Sequence, residues 1–176
     1  MPESRLLLKS KQFADEHVRQ RFLDLFCGCG IAAERVTLLP RVASTAGHLA
    51  VYHQVDIALD PFPYNGTTTT CEALWMGVPV ITLRGDRHAG RVGASILTRM
   101  GLQALIAYNE EAYVRIGIEL AQDMNRLELL REGMRQRMKT SPLCDGTSFA
   151  DSVGNTFKKV WNIWCQTGIC SDKFKF

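Results

Sequence analysis

The chain of 176 residues is 46% hydrophobic and carries a formal charge of +3, which suits one folded domain and excludes a disordered polyelectrolyte. Charges of both signs are interspersed, so there is no basic stripe of the kind that binds nucleic acid, and no nucleic-acid partner is expected. No apolar run approaches the roughly 18 residues of a membrane span, and the opening MPESRLLLKSK lacks the apolar core of a signal peptide, so the expectation is a cytoplasmic protein without a membrane partner.

Taken in chain order, Ser4 to Leu8 reads as a short buried strand, and Ala14, Val18, Phe22, Leu25 and Phe26 follow at helical spacing until Gly28 and Gly30. Val36 to Leu39 reads as a second strand. A loop then leads to a short helix about His48 to His53, and Val55 to Leu59 is a third strand. The turn DPFPYNG separates it from a threonine run, a helix to Met76, a stop at Gly77 and a fourth strand, Val78 to Leu83. Alternating strands and helices predict a parallel α/β architecture, a Rossmann-like sheet flanked by helices. Beyond Asp86 the pattern becomes helical: His88 to Met100, an extended piece at Ala104 to Ala107, and three further helices. The first of these is marked by Tyr113, Ile116, Leu120 and Met124, and the second by Leu127, Leu130 and Met134. On the last, Phe149, Val153, Phe157, Val160, Trp161 and Trp164 form a stripe expected to pack on the sheet. Arg131, Arg135, Arg137 and Lys139 read as a solvated face, and Ser141 to Ser148 as the one linker-like stretch. The six cysteines (Cys27, Cys29, Cys71, Cys144, Cys165 and Cys170) form no CxxC pair and complete no metal spacing with histidine. They are expected to be reduced, mostly buried thiols, with no bound metal.

The segment PYNGTTTTCEALW, Pro63 to Trp75, carries the chemistry. Threonines are poor helix-interior residues, because branching at Cβ restricts their rotamers, but they are good residues for a helix start. Open parallel sheets bind ligands where strands lead into helices, and there the unpaired N–H groups and the helix dipole favour an anion. Thr67, Thr68 and Thr69 are therefore candidate phosphate contacts, and Glu72 a candidate acceptor for vicinal hydroxyls. A structural capping role is the alternative from these residues alone. His48, after the second strand, lies on the same carboxyl edge and could meet a base. His88 and Arg91 in RGDRHAGRVGAS mark another strand-to-helix junction, where Arg91 could equally form a structural ion pair. No nucleophile triad, carboxylate pair or Walker-type lysine loop is evident.

DIALDPFPYNGTTTTCEALWMGVPVITL, joined to GDRHAGRVGASIL and SPLCDGTSFA, resembles the catalytic region of the protein O-linked N-acetylglucosamine transferases and SPINDLY-type proteins, over nearly the whole chain. The resemblance implies the C-terminal lobe of a GT-B enzyme that transfers a sugar from a nucleotide donor to Ser or Thr hydroxyls of a protein acceptor, with inversion. It implies base contacts from the loop Arg41 to Thr45, with Ala43 at the key position and Thr45 beside it. It also implies His48 beside the base, Thr67, Thr68 and Thr69 at the diphosphate, and Glu72 at the ribose. Thr67 stands where some animal members have histidine, and Val51 where they have arginine. Similarity to the plant SPINDLY group implies fucosyl transfer from GDP-fucose, beside the leading expectation of UDP-N-acetylglucosamine. No separate cofactor is implied.

The family lysine that neutralises the departing diphosphate lies ahead of the equivalent of Pro2 to Lys9, so the catalytic residues are expected upstream. The expectation is one lobe over residues 1–176, lacking its first strand and helix, the N-terminal lobe and the tetratricopeptide repeats, with open sheet edges. A non-catalytic assembly module completed by a partner chain, and a decayed reading frame, are the alternatives.

Overall fold

A computed structural model describes residues 3–167. Five short strands and seven helices follow one another as β1 (Leu6–Lys9), α1 (Glu16–Gly28), β2 (Val36–Leu39), α2 (Thr45–Ala50), β3 (Ala58–Leu59), α3 (Thr68–Trp75), β4 (Val80–Leu83), α4 (Val92–Arg99), β5 (Ile106–Ala107), α5 (Glu110–Gln122), α6 (Met124–Lys139) and α7 (Gly146–Thr167), with 3₁₀ turns between several of them. Every strand pairing is parallel, as the alternating pattern predicts. The strands divide into two sheets, β1–β2 and β3–β4–β5, rather than one continuous sheet. Leu6 pairs with Val36 in the first, and in the second Ala58 pairs with Val80 and Thr82 with Ile106.

The core belongs to the second sheet. In β4 Val80, Ile81 and Thr82 are all buried, the continuous burial expected of a strand covered on both faces. Leu74 from α3, Leu97 from α4, Leu120 from α5 and Met134 from α6 close over it. Gly77 turns the chain from α3 into that strand at φ +82°, with the Gly77 and Val78 amides donating to the Leu74 and Ala73 carbonyls. This double bond pattern ends a helix where only glycine takes the left-handed conformation without strain. By contrast, β1 is only half-buried and α1 buries no residue; Phe13 meets Phe22 edge-on at 5.1 Å as a small separate cluster.

Several expectations are corrected. The strands predicted at Val55 to Leu59 and Val78 to Leu83 ladder only over Ala58–Leu59 and Val80–Leu83, because their first residues lie ahead of the paired register. The basic residues of α6 are anchors rather than a purely solvated face. Arg131 donates to the Val55 carbonyl at 2.7 Å and the Asp56 carbonyl at 3.0 Å, and Arg135 donates to the Trp75 carbonyl at 2.8 Å while its guanidinium and the Lys139 ammonium lie over the Trp75 ring. Met124 is exposed, since it opens α6 instead of ending α5. The stripe on α7 does not pack on the sheet: Phe149, Phe157, Trp161 and Trp164 are 68%, 69%, 65% and 49% exposed. Helical periodicity identifies an apolar face but says nothing of what covers it. Cys27, Cys29, Cys144 and Cys165 are exposed and Cys71 half-buried, all five free, because they sit at helix ends and on outward faces rather than in the core; Cys170 lies outside the described residues.

Ile81→Ala, which opens a cavity in the core of the second sheet, is expected to lower unfolding free energy by about 2–5 kcal/mol, whereas Trp161→Ser changes it by less than about 1 kcal/mol. Urea denaturation of both variants checks the asymmetry.

Candidate functional site

β3 runs out at Leu59, and the chain from Asp60 to Gly66 folds back to start α3 at the carboxyl edge of the sheet. Thr67 is the N-cap residue and Thr68 to Thr70 form the first turn. The four threonines divide by role. Thr70 is buried and its hydroxyl donates to the Gly66 carbonyl at 3.0 Å, while Thr67, Thr68 and Thr69 are exposed. Asp15, Ser44, Asn109 and Asp123 cap α1, α2, α5 and α6 through their side chains, but no side chain caps α3. Its first N–H groups therefore lie beside exposed hydroxyls, with the positive end of the helix dipole behind them. Gly66 is held to glycine by this arrangement: a Cβ there would lie 2.5 Å from Thr69 Oγ1 and 2.9 Å from Thr70 Oγ1. Asn65 is not free for a ligand. It is buried, its amide donates to the Pro61 carbonyl at 3.2 Å, and its Oδ1 accepts from the Gly93 amide at 3.4 Å.

Beside this helix start, four side chains from four elements form a chain of hydrogen bonds. His48 Nε2 lies 2.8 Å from Glu72 Oε2, so the imidazole and carboxylate singled out from the sequence meet directly. Lys9, at the end of β1, places its ammonium on His48 Nδ1. An ammonium has no acceptor lone pair, so the tautomer that fits both contacts accepts at Nδ1 and donates from Nε2 to Glu72. Tyr52 completes the set, its hydroxyl donating to the Thr69 carbonyl at 3.2 Å and reaching Glu72 Oε2 at 3.4 Å. Burial, then the Glu72 charge and the hydrogen bond to it, push the Tyr52 phenol up to about 12. His48 is the fourth residue of α2 rather than the start of a helix, because Ser44 caps the turn by accepting from the Gly47 amide at 3.1 Å.

Sequence reasoning missed Lys9 and Tyr52. Lys9 was legible as a lone cation ending an apolar strand at the ligand-binding edge, whereas Tyr52 lies in a 3₁₀ turn, Val51–Gln54, that carries no periodic signal. Ala43 and Thr45 are exposed on either side of the Ser44 cap, on the chain leading to His48. His88 and Arg91 lie apart from this set of hydrogen bonds; they flank a cleft of about 680 Å³ lined by Phe62, Tyr64, Arg84, Arg87, Tyr108 and Glu110 among others. Among the described residues no group of three or more His, Cys, Asp or Glu side chains could hold a metal ion, and no described helix is long and apolar enough to cross a membrane.

The profile of Glycosyl transferase family 41 matches residues 2–153. The chain belongs to that family. It is 44% identical over 171 residues to the probable UDP-N-acetylglucosamine–peptide N-acetylglucosaminyltransferase SPINDLY of Petunia hybrida, covering 97% of this chain and 18% of the relative. Identity to SPINDLY of Arabidopsis thaliana is also 44%, over 94% of this chain and 18% of that protein, and to the Arabidopsis relative SEC it is 30%, over 94% and 17%. A mutant O-GlcNAc transferase of Thermobaculum terrenum superposes with a TM-score of 0.88 at 38% identity, over 96% of this chain and 32% of that one. The chain thus spans under a fifth of the length of these curated relatives and about a third of that structure. The Rossmann-like GT-B lobe expected from the sequence is the fold that this superposition shows.

Tyr113, whose hydroxyl donates to the Asp60 carbonyl at 3.0 Å, is likewise pushed up to about 12, first by burial and then by the Asp60 charge. The folded protein therefore keeps both phenolic protons where an unfolded tyrosine, at 10.0, releases them, and stability falls as pH rises from 10.0 towards about 12. Ultraviolet difference titration between the wild type and Tyr52→Phe is expected to show one phenol ionising at about 12; ionisation at 10.0 would mean that the phenol is neither buried nor held beside Glu72.

Proposed function

We propose that this chain is the donor-binding lobe of a protein O-glycosyltransferase, and that the start of α3 holds the diphosphate of a nucleotide sugar. One observation carries the reading: exposed Thr67, Thr68 and Thr69 on a helix start without a side-chain cap stand beside the linked pair His48 and Glu72. Exposed amides and hydroxyls suit a diphosphate, Glu72 suits a ribose, and His48 with the loop through Ala43 and Thr45 suits a base. Arg91 supplies further positive charge, and His88 a ring nitrogen, at the neighbouring strand-to-helix junction in this reading.

The donor we favour is UDP-N-acetylglucosamine, for which the SPINDLY and SEC relatives are named, and the acceptor is a Ser or Thr hydroxyl of a protein. In the reaction the acceptor oxygen bonds to the anomeric carbon as the bond to the diphosphate oxygen breaks, with inversion, and the hydroxyl proton passes to a base outside this chain or to the departing diphosphate. The helix amides and threonine hydroxyls then hold the charge that collects on the diphosphate. Lys9 adds a cation to this edge of the site, where the sequence reading expected one only from an upstream segment. Residues acting directly on the acceptor hydroxyl, the N-terminal lobe and the helical repeats belong, in this reading, to the rest of the enzyme. The greater identity to SPINDLY relatives than to SEC keeps GDP-fucose as the competing donor.

Isothermal titration decides between donors. UDP or GDP is expected to bind the folded chain, with the preferred base giving the tighter complex, and heat from neither contradicts the reading. Thr68→Ala and Glu72→Ala are each expected to weaken binding by roughly 1–3 kcal/mol through loss of a polar partner.

A second reading, a non-catalytic module completed by a partner chain, is favoured by the aromatic face of α7 and by the open edges left where the sheet divides in two. Light scattering that shows a monomer at all concentrations counts against self-association through these surfaces.

A further inference from the structure

Behind the threonines lies an acid with no part in the chemistry proposed so far. Asp60 is only 3% exposed, and none of the ion pairs among the described residues involves it. Burying a carboxylate without a cation is costly, and burial here raises its carboxyl above the ordinary value, against the opposing hydrogen bonds of Gly66 and Thr82. Its two oxygens are divided between two tasks. Oδ1 accepts the Gly66 amide at 2.7 Å, closing the loop that delivers the chain to Thr67, and Oδ2 accepts the Thr82 hydroxyl at 2.8 Å from the middle of the core strand β4. The Asp60 backbone is fixed as well, its amide donating to the Ile81 carbonyl at 2.9 Å and its carbonyl accepting the Tyr113 hydroxyl at 3.0 Å. The fit is tight on the remaining side, where a Cβ on Gly93 of α4 would come within 2.2 Å of Oδ2. Strand β4 and helices α4 and α5 thus close around Asp60 at the end of β3, and its carboxylate joins Thr82 of β4 to Gly66, the residue before the threonine run.

We propose that Asp60 is a positioning residue for the donor diphosphate: by pinning the Gly66 amide to the rigid strand β4 it sets where Thr67, Thr68 and Thr69 present their amides and hydroxyls. It does not touch the ligand. The inference rests on the diphosphate reading of the α3 start. The buried carboxylate is retained because an apolar side chain at residue 60 would leave the Gly66 amide and the Thr82 hydroxyl without partners and the loop free to choose another path. Because Gly66 is also crowded by Thr69 and Thr70, a shift of the loop carries the threonine hydroxyls with it.

The test separates phosphate contacts from base contacts. UDP and uridine, or GDP and guanosine if those bind, are titrated by ligand-observed NMR against the wild type, Asp60→Ala and Thr82→Val, with circular dichroism to verify folding. Asp60→Ala is expected to weaken the diphosphate about tenfold or more and the nucleoside less than about twofold, the scale of one lost charged hydrogen bond. Thr82→Val, which leaves the loop intact and removes only the support for Oδ2, is expected to show the same selectivity at a smaller size and stands in if Asp60→Ala does not fold. Equal losses for diphosphate and nucleoside in folded variants show a merely structural role and overturn the proposal, as does no loss for either. A wild-type chain that binds the nucleoside no more weakly than its diphosphate overturns the cradle reading itself, so the two failures are distinguishable.

Discussion

A helix that starts at the carboxyl edge of a buried parallel strand, without a side chain to cap it, leaves several amide hydrogens that only water or a ligand can satisfy. That condition at α3 is what the rest of the structure serves. The core formed by Leu74, Leu97, Leu120 and Met134 around β4 holds the helix, and Gly77 returns the chain to the sheet beneath it. Arg131 and Arg135 of α6 fasten the backbone at both ends of the β3–α3 unit, through Val55 and Trp75. Rigidity here has a purpose in the proposed reaction, because donors aimed beforehand at developing charge need no rearrangement during the transfer.

The second sheet carries this rigid part, and the first contributes side chains to it. Lys9 from β1 and His48 from α2 reach Glu72 and, through it, Tyr52. These bonds join the two sheets across the division between them, so the residues proposed to hold the nucleoside also connect the halves of the molecule. A ligand at that place would strengthen a link to which the apolar core contributes little, since α1 buries no residue and β1 is half-buried, although Tyr52 packs against the core. Such coupling between occupancy and stability is general for ligands that bind only the native state.

Much of this was readable from the sequence where local rules and burial agree. The β-branched run of β4, the Gly77 stop and the threonines at the start of α3 are cases in which propensity, periodicity and capping give one answer, and the structure has each of them. Reasoning ran out where tertiary context decides. The stripe on α7 has the periodicity of a packed helix yet lies open, and the arginines of α6 have the spacing of a solvated face yet reach across to backbone carbonyls. Asp60 gave no sign of being buried, because an acid before a proline-rich turn is ordinary turn chemistry. Its role depends on Thr82 and Gly93, more than twenty residues away in the chain. The direct bond between His48 and Glu72 was not anticipated: the sequence set each at the carboxyl edge and the resemblance set one at the base and the other at the ribose, but nothing local joins a short helix after β2 to one after β3.

The claim on which the account stands is that α3 offers its first-turn amides to a diphosphate. Amide chemical shifts of the chain during titration with UDP or GDP test it most directly. The account predicts that the largest changes fall on Thr67, Thr68 and Thr69 and are lost when the nucleoside without phosphates is used instead. Changes centred elsewhere, with these three amides unmoved at saturation, would contradict it.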